Sequence, residues 1–499
     1  MKELLKKYEE LRKKIKAYGY AMWMIGWDSA TEAPKGCFEE RGKYLGILSE
    51  ESYKFETSEE YTNVVNELFD NKDKLDEVLK HEIIEVKDGI DKIKKIPMNE
   101  YIEFQILTSN SQNIWVEAKT NSDFSIFKPC LEKIVMFMKK YTKYLETDKL
   151  KGYDVLLDQY EHGYTTKEYD EFFNLLKKEL VPFVKKVTAK KLAYNDNFES
   201  KVYPKLDQKK FCDYIQQVMC YDTDRGLMKE SEHPFTSGVS SRDVRFTNHY
   251  YENLLISSVF SAIHELGHAT YEQQVNPEYD ETFSGGGASM AMHESQSRFY
   301  ENIIGRSKEF WINHFDKLKE TFKEQFKDTT LEDFFMAINK VENSLIRTEA
   351  DELTYPLHIM IRYDIEKMIF NNEIEVSDLP KVWNKMYKDY LGIDVPNDAV
   401  GVLQDMHWSD GSFGYFVTYA LGSAYASQIY DKMKNDIDIE KALSTGTTKE
   451  INEWLKEKIH KYGATKYPKE ILKIATGEDF NAMYYVNYLK DKYSKIYDI

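Results

Sequence analysis

The chain has 499 residues, 42 % hydrophobic and 31 % charged, and its 85 acidic against 68 basic side chains leave a formal net charge of −17. That is the composition of a folded globular protein, and the 14 % aromatic content argues against disorder. A balance this acidic repels phosphate backbones and anionic lipid, so neither nucleic acid nor membrane is an expected partner.

The N-terminus, Met1 to Leu11, is charged throughout and lacks the apolar core of a signal peptide. The longest apolar stretch, Leu254 to Ile263, is interrupted by Ser257, Ser258 and Ser261 and is too short to span a bilayer, so a cytoplasmic location is expected. The four cysteines (Cys37, Cys130, Cys212, Cys220) form no C-x-x-C pair. They read as reduced thiols, which leaves His and carboxylate for any metal. Leu4 to Tyr18 places Leu4, Leu5, Tyr8, Leu11, Ile15 and Tyr18 on one helical face. The same spacing predicts helices over Glu59–Phe69, Leu75–Ile93, Phe127–Leu145, Lys167–Leu192, Gln208–Cys220, Phe310–Phe326, Leu331–Asn371, Glu440–Tyr462 and Asp479–Tyr497. The best strand signal is Asp243–Thr247, which alternates as a half-buried edge strand would. Gly and Pro gather in two loops, Asn276–Ala288 and Gly392–Gly414. The expected fold is mainly α, a single unit over residues 1–499 with two helical lobes around a deep central cleft and a small β element. The first lobe covers roughly residues 1–200 and the second, which bears the motif below, roughly 201–499.

Ile263-His264-Glu265-Leu266-Gly267-His268 contains H-E-x-x-H and continues an apolar run, which predicts a buried helix. Residues four apart share a helix face, so His264 and His268 can hold one ion between them. Glu265, one step round from His264, can reach a water on that ion without ligating it. A catalytic zinc takes three protein ligands and keeps a position open. The segment Met290–Arg298, after a Gly-rich turn, can fold back beside the motif and bring Glu294 as the third ligand, with His293 as the competing choice. Zinc so held would lower the pKa of its water and polarise a carbonyl, with Glu265 moving the proton to the leaving amine.

The sequence here resembles the Taq-type zinc carboxypeptidases. Along the whole chain it carries, in order, Trp27-Asp28-x-x-Thr31, His233-Pro234-Phe235, Asp243-Val244-Arg245-Phe246-Thr247, the H-E-x-x-H helix, and His293-Glu294-Ser295-Gln296-Ser297-Arg298 followed by Glu301-Asn302. After these come Ile346-Arg347-Thr348-Glu349-Ala350-Asp351, Gly401-Val402-Leu403-Gln404-Asp405-Met406-His407-Trp408 and Gly414-Tyr415-Phe416-x-Thr418-Tyr419-x-Leu421-Gly422. Val417 stands in place of a common proline and Phe299-Tyr300 in place of a common Leu-Trp, neither at a ligand. The resemblance implies a two-lobed, neurolysin-like helical zincin, usually a homodimer. It implies removal of single amino acids from peptide C-termini with broad specificity, using zinc or, in vitro, cobalt.

A carboxypeptidase must grip a free α-carboxylate, and a fixed guanidinium matches both oxygens. Arg347 and Arg245 are the candidates, unless they pair with the nearby Asp351 and Asp243. His407, Tyr415 and Tyr419 are candidates for the substrate backbone and the oxyanion, through a phenol or an imidazolium. His233, held extended by Pro234, is a candidate to face the cleft, and Asp243–Thr247 to pair with an extended peptide. Asp351 and Gln296 are candidates to hold the ligating histidines from behind.

Overall fold

The first helix runs from Lys2 to Thr31, well past the predicted end at Tyr18. Its extension follows from contacts that local periodicity cannot report. Trp23 Nε1 donates to Ser237 Oγ at 2.7 Å, and Trp27 packs edge-on against Phe235, so the far end of the helix is held by the β element. The computed structural model describes residues 1–499, apart from the Lys35 side chain. Tyr8 and Leu11 of the first helix form a small hydrophobic cluster with helices Glu59–Asp70 and Glu77–Lys95, whose starts are capped by Ser58 and Asp76. A far larger cluster begins at Ala118 and ends at Tyr497.

Two long helices, Phe38–Glu56 and Met98–Asn121, carry no predicted counterpart. The first buries only Ser52 and the second only Ser111 and Ala118, so neither has an apolar stripe for periodicity to detect. Conversely, the helix predicted over Leu331–Asn371 is two helices, Leu331–Ile338 and Tyr355–Phe370. Between them the chain is irregular, and Arg347 lies in a 3₁₀ turn, Arg347–Glu349. The second helix starts where Asp351 accepts from the Leu353 and Thr354 amides and Pro356 occupies the first turn. The span Glu440–Tyr462 is likewise divided, into Ile439–Leu443 and Lys449–Lys458, with Gly446 in the left-handed region between them.

The β element has three strands, β1 (Met228–Glu230), β2 (Thr236–Ser240) and β3 (Asp243–Asn248), in the order β1-β3-β2. β3 runs parallel to β1 and antiparallel to β2, which corrects the expectation of an edge strand at Asp243–Thr247. Alternating burial of Val244 and Phe246 reports a covered face, not the number of neighbours. With β3 paired on both sides, a free edge belongs to β2 instead.

The site is built on three helices, Leu255–Gln274, Met290–Arg298 and Val417–Asp436, with Met290–Arg298 packed on both of the others. The second passes directly into a π-helical turn, Phe299–Ile304. No helix among the described residues is long and apolar enough to cross a membrane.

Candidate metal centre

The H-E-x-x-H helix, Leu255–Gln274, is buried along most of its length because Val259, Phe260, Ile263 and Leu266 all face the core. Two glycines bring its neighbours unusually close. A Cβ on Gly267 would lie 2.7 Å from Ser297 Cα, and one on Gly422 would lie 2.5 Å from Glu294 Cβ. The helix bearing Glu294 is thus seated between the motif helix and Val417–Asp436 at backbone distance. As a result one donor atom each from His264, His268 and Glu294 fall within 4.8 Å of one another, with His268 Nε2 at 3.9 Å from Glu294 Oε1. His293, the competing choice, is outside this set.

The outer partners fix which nitrogen each ring presents. His264 Nδ1 is 2.8 Å from Glu301 Oε2, so its Nε2 faces the set. Glu301 is also held by Arg298 at 3.1 Å and Arg306 at 3.6 Å. Burial pushes the Glu301 carboxyl up, but Arg298, His264 and Arg306 more than reverse this and keep it well below the usual carboxylate range. His268 Nδ1 is 3.2 Å from His293 Nδ1, and His293 Nε2 is 2.6 Å from Glu272 Oε1. With Nε2 of His268 reserved for a metal, its Nδ1–H donates to His293, which in turn donates to Glu272. Burial, with the nearby His264, His293 and Arg298, drives the His268 pKa well down, so that ring is neutral as a ligand must be. Two imidazole nitrogens and one carboxylate oxygen, with second partners in place, suit zinc. Glu272 and His293 also line a cavity of about 580 Å³, walled across the way by residues of the helix Glu77–Lys95.

Neither Asp351 nor Gln296 holds a ligating histidine. Asp351 caps the start of the Tyr355–Phe370 helix, and Gln296 takes up the buried His460 at 2.8 Å. Both are polar residues near the site in sequence whose partners are set by the fold.

Glu265 is buried and its Oε2 accepts from Thr236 Oγ1 of β2 at 2.7 Å. Burial raises its pKa, opposed by His264 and Thr236. Tyr415 and Tyr419 meet edge to face with centroids 5.3 Å apart, and both phenols feel the charge of Glu294. Tyr419 Oη is 3.5 Å from His407 Nε2. Burial, with the charge of Arg347, pulls His407 down to about 4, so it is neutral at pH 7 and the imidazolium option for it falls away. Arg347 is buried and pairs not with Asp351 but with Asp405, its Nε at 3.0 Å, while Nη1 donates to Tyr355 Oη at 2.9 Å. Its guanidinium also lies over the Tyr419 ring, 5.0 Å from the centroid. Arg245 is engaged by Asp243 through both Nε and Nη2 at 2.7 Å and lies over Trp23. One of the two bidentate faces of its guanidinium, Nε with Nη2, is therefore taken by its own strand. His233 is exposed ahead of β2, and no hydrogen bond among the described residues ties its ring to the metal set.

Residues 7–493 match the family model described as Carboxypeptidase Taq (M32) metallopeptidase. The chain belongs to the carboxypeptidase Taq family. It is 44 % identical over 493 residues to carboxypeptidase 1 of Bacillus subtilis, covering 99 % of this chain and 98 % of that one. It is 32 % identical over 486 residues to thermostable carboxypeptidase 1 of Thermus thermophilus, covering 95 % of each. Its fold superposes on the M32 carboxypeptidase of Deinococcus radiodurans with a TM-score of 0.95 at 30 % identity over the full length of both chains. Membership makes the protein a peptide hydrolase of the metallocarboxypeptidase type, and His264, His268 and Glu294 form a cluster that could hold a divalent metal.

Several members of this carboxypeptidase Taq site had a visible place in the sequence but no assigned role. Glu301 stands seven residues after Glu294, a spacing that keeps a helix face, yet only the π turn and the approach of His264 define its task. Arg298 reaches Glu301 one helical turn on and Tyr355 reaches Arg347 eight residues back, whereas Glu272 and Asp405 act through His293 and Arg347, which lie far from them along the chain.

Proposed function

We propose that this chain is a zinc-dependent carboxypeptidase releasing single C-terminal amino acids from peptides with broad specificity. In this reading residues 1–499 act as one catalytic unit in the cytoplasm, the protein is a homodimer as the family resemblance implies, and cobalt can substitute for zinc. The observation that carries the reading is the set of His264, His268 and Glu294 donors within 4.8 Å, beside a buried Glu265. Zinc held there supplies Lewis acidity to the scissile carbonyl and a lowered pKa for the attacking water.

The side chains divide the remaining work. Glu265 takes the proton of the attacking water; its raised pKa makes it a stronger base, and Thr236 holds Oε2 so that Oε1 is left for the water. The same carboxyl hands the proton to the leaving amine. Tyr415 and Tyr419, whose burial keeps both phenols protonated, donate to the oxyanion. Neutral His407 orients Tyr419. Arg347 grips the substrate α-carboxylate: Asp405 and Tyr355 hold Nε and Nη1, and Nη2 has no protein partner among the described residues. Arg245 and His233 are lesser contributors, as walls of the substrate path.

The deciding experiment gives the protein one peptide as the free acid and as the C-terminal amide, with and without a chelator, and follows products by mass spectrometry. Stepwise loss of single residues from the free acid alone, abolished by chelation, is expected. Internal cuts in both peptides would overturn the carboxylate anchor, and turnover that persists under chelation would overturn the metal.

A further inference from the structure

Ahead of the helix at Val417 runs a long irregular segment carrying His407 and Tyr415, with only one 3₁₀ turn, His407–Ser409, and its Tyr415 feels the charge of Glu294. A segment with so little hydrogen-bonded structure of its own takes its shape from whatever it is tied to. Trp115, Lys119 and Arg347 hold its first part, and the helix Tyr355–Phe370 grips it on both sides of His407 by two side chains four residues apart and so on one face. Arg362 holds the segment ahead of His407, donating to Asp405 Oδ2 at 2.7 Å through Nε and to Gln404 Oε1 at 2.8 Å through Nη2. One turn later, Glu366 holds it beyond His407. Its Oε1 accepts from Trp408 Nε1 at 2.7 Å, and its Oε2 accepts from the Gly414 amide at 2.7 Å and from Tyr153 Oη at 2.6 Å. Trp408 is the neighbour of His407 and Gly414 the neighbour of Tyr415. Glu366 is 1 % exposed, and a carboxylate is not placed there without a task, since burial pushes it up to about 7 despite its three donors.

We propose that Glu366 is a positioning residue for the hydrolysis, setting His407 and Tyr415 against the metal site by accepting from Trp408 and Gly414 at once. The inference rests on the peptidase reading above and adds a residue that touches neither metal nor substrate. Its chemistry is specific to a group that accepts at both ends. Trp408 Nε1 and the Gly414 amide can only donate. A glutamine at 366 would present one oxygen and one NH₂, so whichever way the amide turned, one of the two donors would face another donor. Glu366→Gln therefore frees either the His407 side or the Tyr415 side while keeping the size of the side chain.

The test uses the metal-loaded full chain and a free-acid peptide. Glu366→Gln is expected to lower kcat by ~10- to 100-fold, the cost of misplacing a group by about an ångström, with KM and bound metal changed by less than about twofold. In a Tyr415→Phe, His407→Gln background the same substitution should lower kcat by less than about threefold, because the groups it positions are already gone. Trp408→Phe, which keeps the ring and removes one donor, gives a smaller loss of roughly 3- to 10-fold and serves as the readout if the glutamine variant fails to fold. Wild-type kcat in Glu366→Gln, or in Trp408→Phe where that is the readout, would overturn the proposal. So would an equal fold-loss in both backgrounds, or a loss that follows bound metal. A wild-type protein that cleaves no peptide would instead overturn the reading on which this rests.

Discussion

Glu301, half-buried, and Glu265, buried, are acids beside the same histidine, and their surroundings send them to opposite jobs. Glu301 is surrounded by Arg298, Arg306 and His264 and stays ionised, so it acts as a fixed acceptor that aims the His264 ring. Glu301→Gln removes the charge but little volume, and should weaken metal binding by ~10- to 100-fold in a competition titration against a chelator. An unchanged affinity would mean that the His264 ring is held by packing alone. Glu265 has no cation other than the His264 ring against it, and its pKa is raised by burial. Glu265→Gln should lower kcat by ~10² to 10⁴ while the protein binds its metal as before. If kcat falls only in proportion to bound metal, Glu265 has no part in proton transfer.

At the scale of elements, the helix Met290–Arg298 matters most, since it carries Glu294 and closes on two others at glycine contacts. Its N-terminal end rests near Glu161, a fully buried carboxyl that accepts from Tyr425 at 3.1 Å and lies beside Ser289 and Ala291. Burial raises the Glu161 pKa from 4.5 to about 7. A raised carboxyl pKa means the folded state prefers the proton. The contribution is thus fully present below the unfolded pKa, near 4.5, and is lost as pH rises through about 7. Glu161→Gln cannot ionise and escapes that loss. The Tm of the variant relative to wild type should therefore be higher at pH 8 than at pH 5, by on the order of 2 °C in a protein of this size. The same difference at both pH values would show that the carboxyl does not titrate in this window.

Across the whole molecule, one of the groups that join the small N-terminal cluster to the main body is a buried carboxylate. Glu82, 2 % exposed, accepts from Tyr8 at 2.6 Å and Arg12 at 2.7 Å within its own cluster. Its second oxygen accepts from the Phe283 amide at 3.1 Å, just ahead of the Gly-rich turn that leads to Glu294. Glu82→Ala leaves Arg12 buried and unpaired and frees that amide. It should cost about 3–5 kcal/mol of stability in the N-terminal part, read as faster protease cleavage within residues 1–95 than in the rest of the chain. Cleavage at the wild-type rate would mean that the hydrophobic contacts hold this region without the ion pair.

The sequence by itself determined the helical class and singled out His264, His268 and Glu294, with His293 as the alternative, because each is written in local spacing: two histidines four positions apart, and a Gly-rich turn before the segment that carries Glu294. It also separated Glu265 from the ligands by its step round the helix. Helices that bury no stripe, such as Phe38–Glu56, left no periodic trace, and a periodic stripe across Leu331–Asn371 concealed the break that puts Arg347 in a turn. The partners of Arg347, His264 and His407 stand at Asp405, Glu301 and Tyr419, and β3 is central because two other strands flank it. Those choices were decided by the tertiary structure alone. A buried charge or strand edge must be satisfied by whatever the packed fold brings within about 3 Å, and that distance has no counterpart in sequence separation.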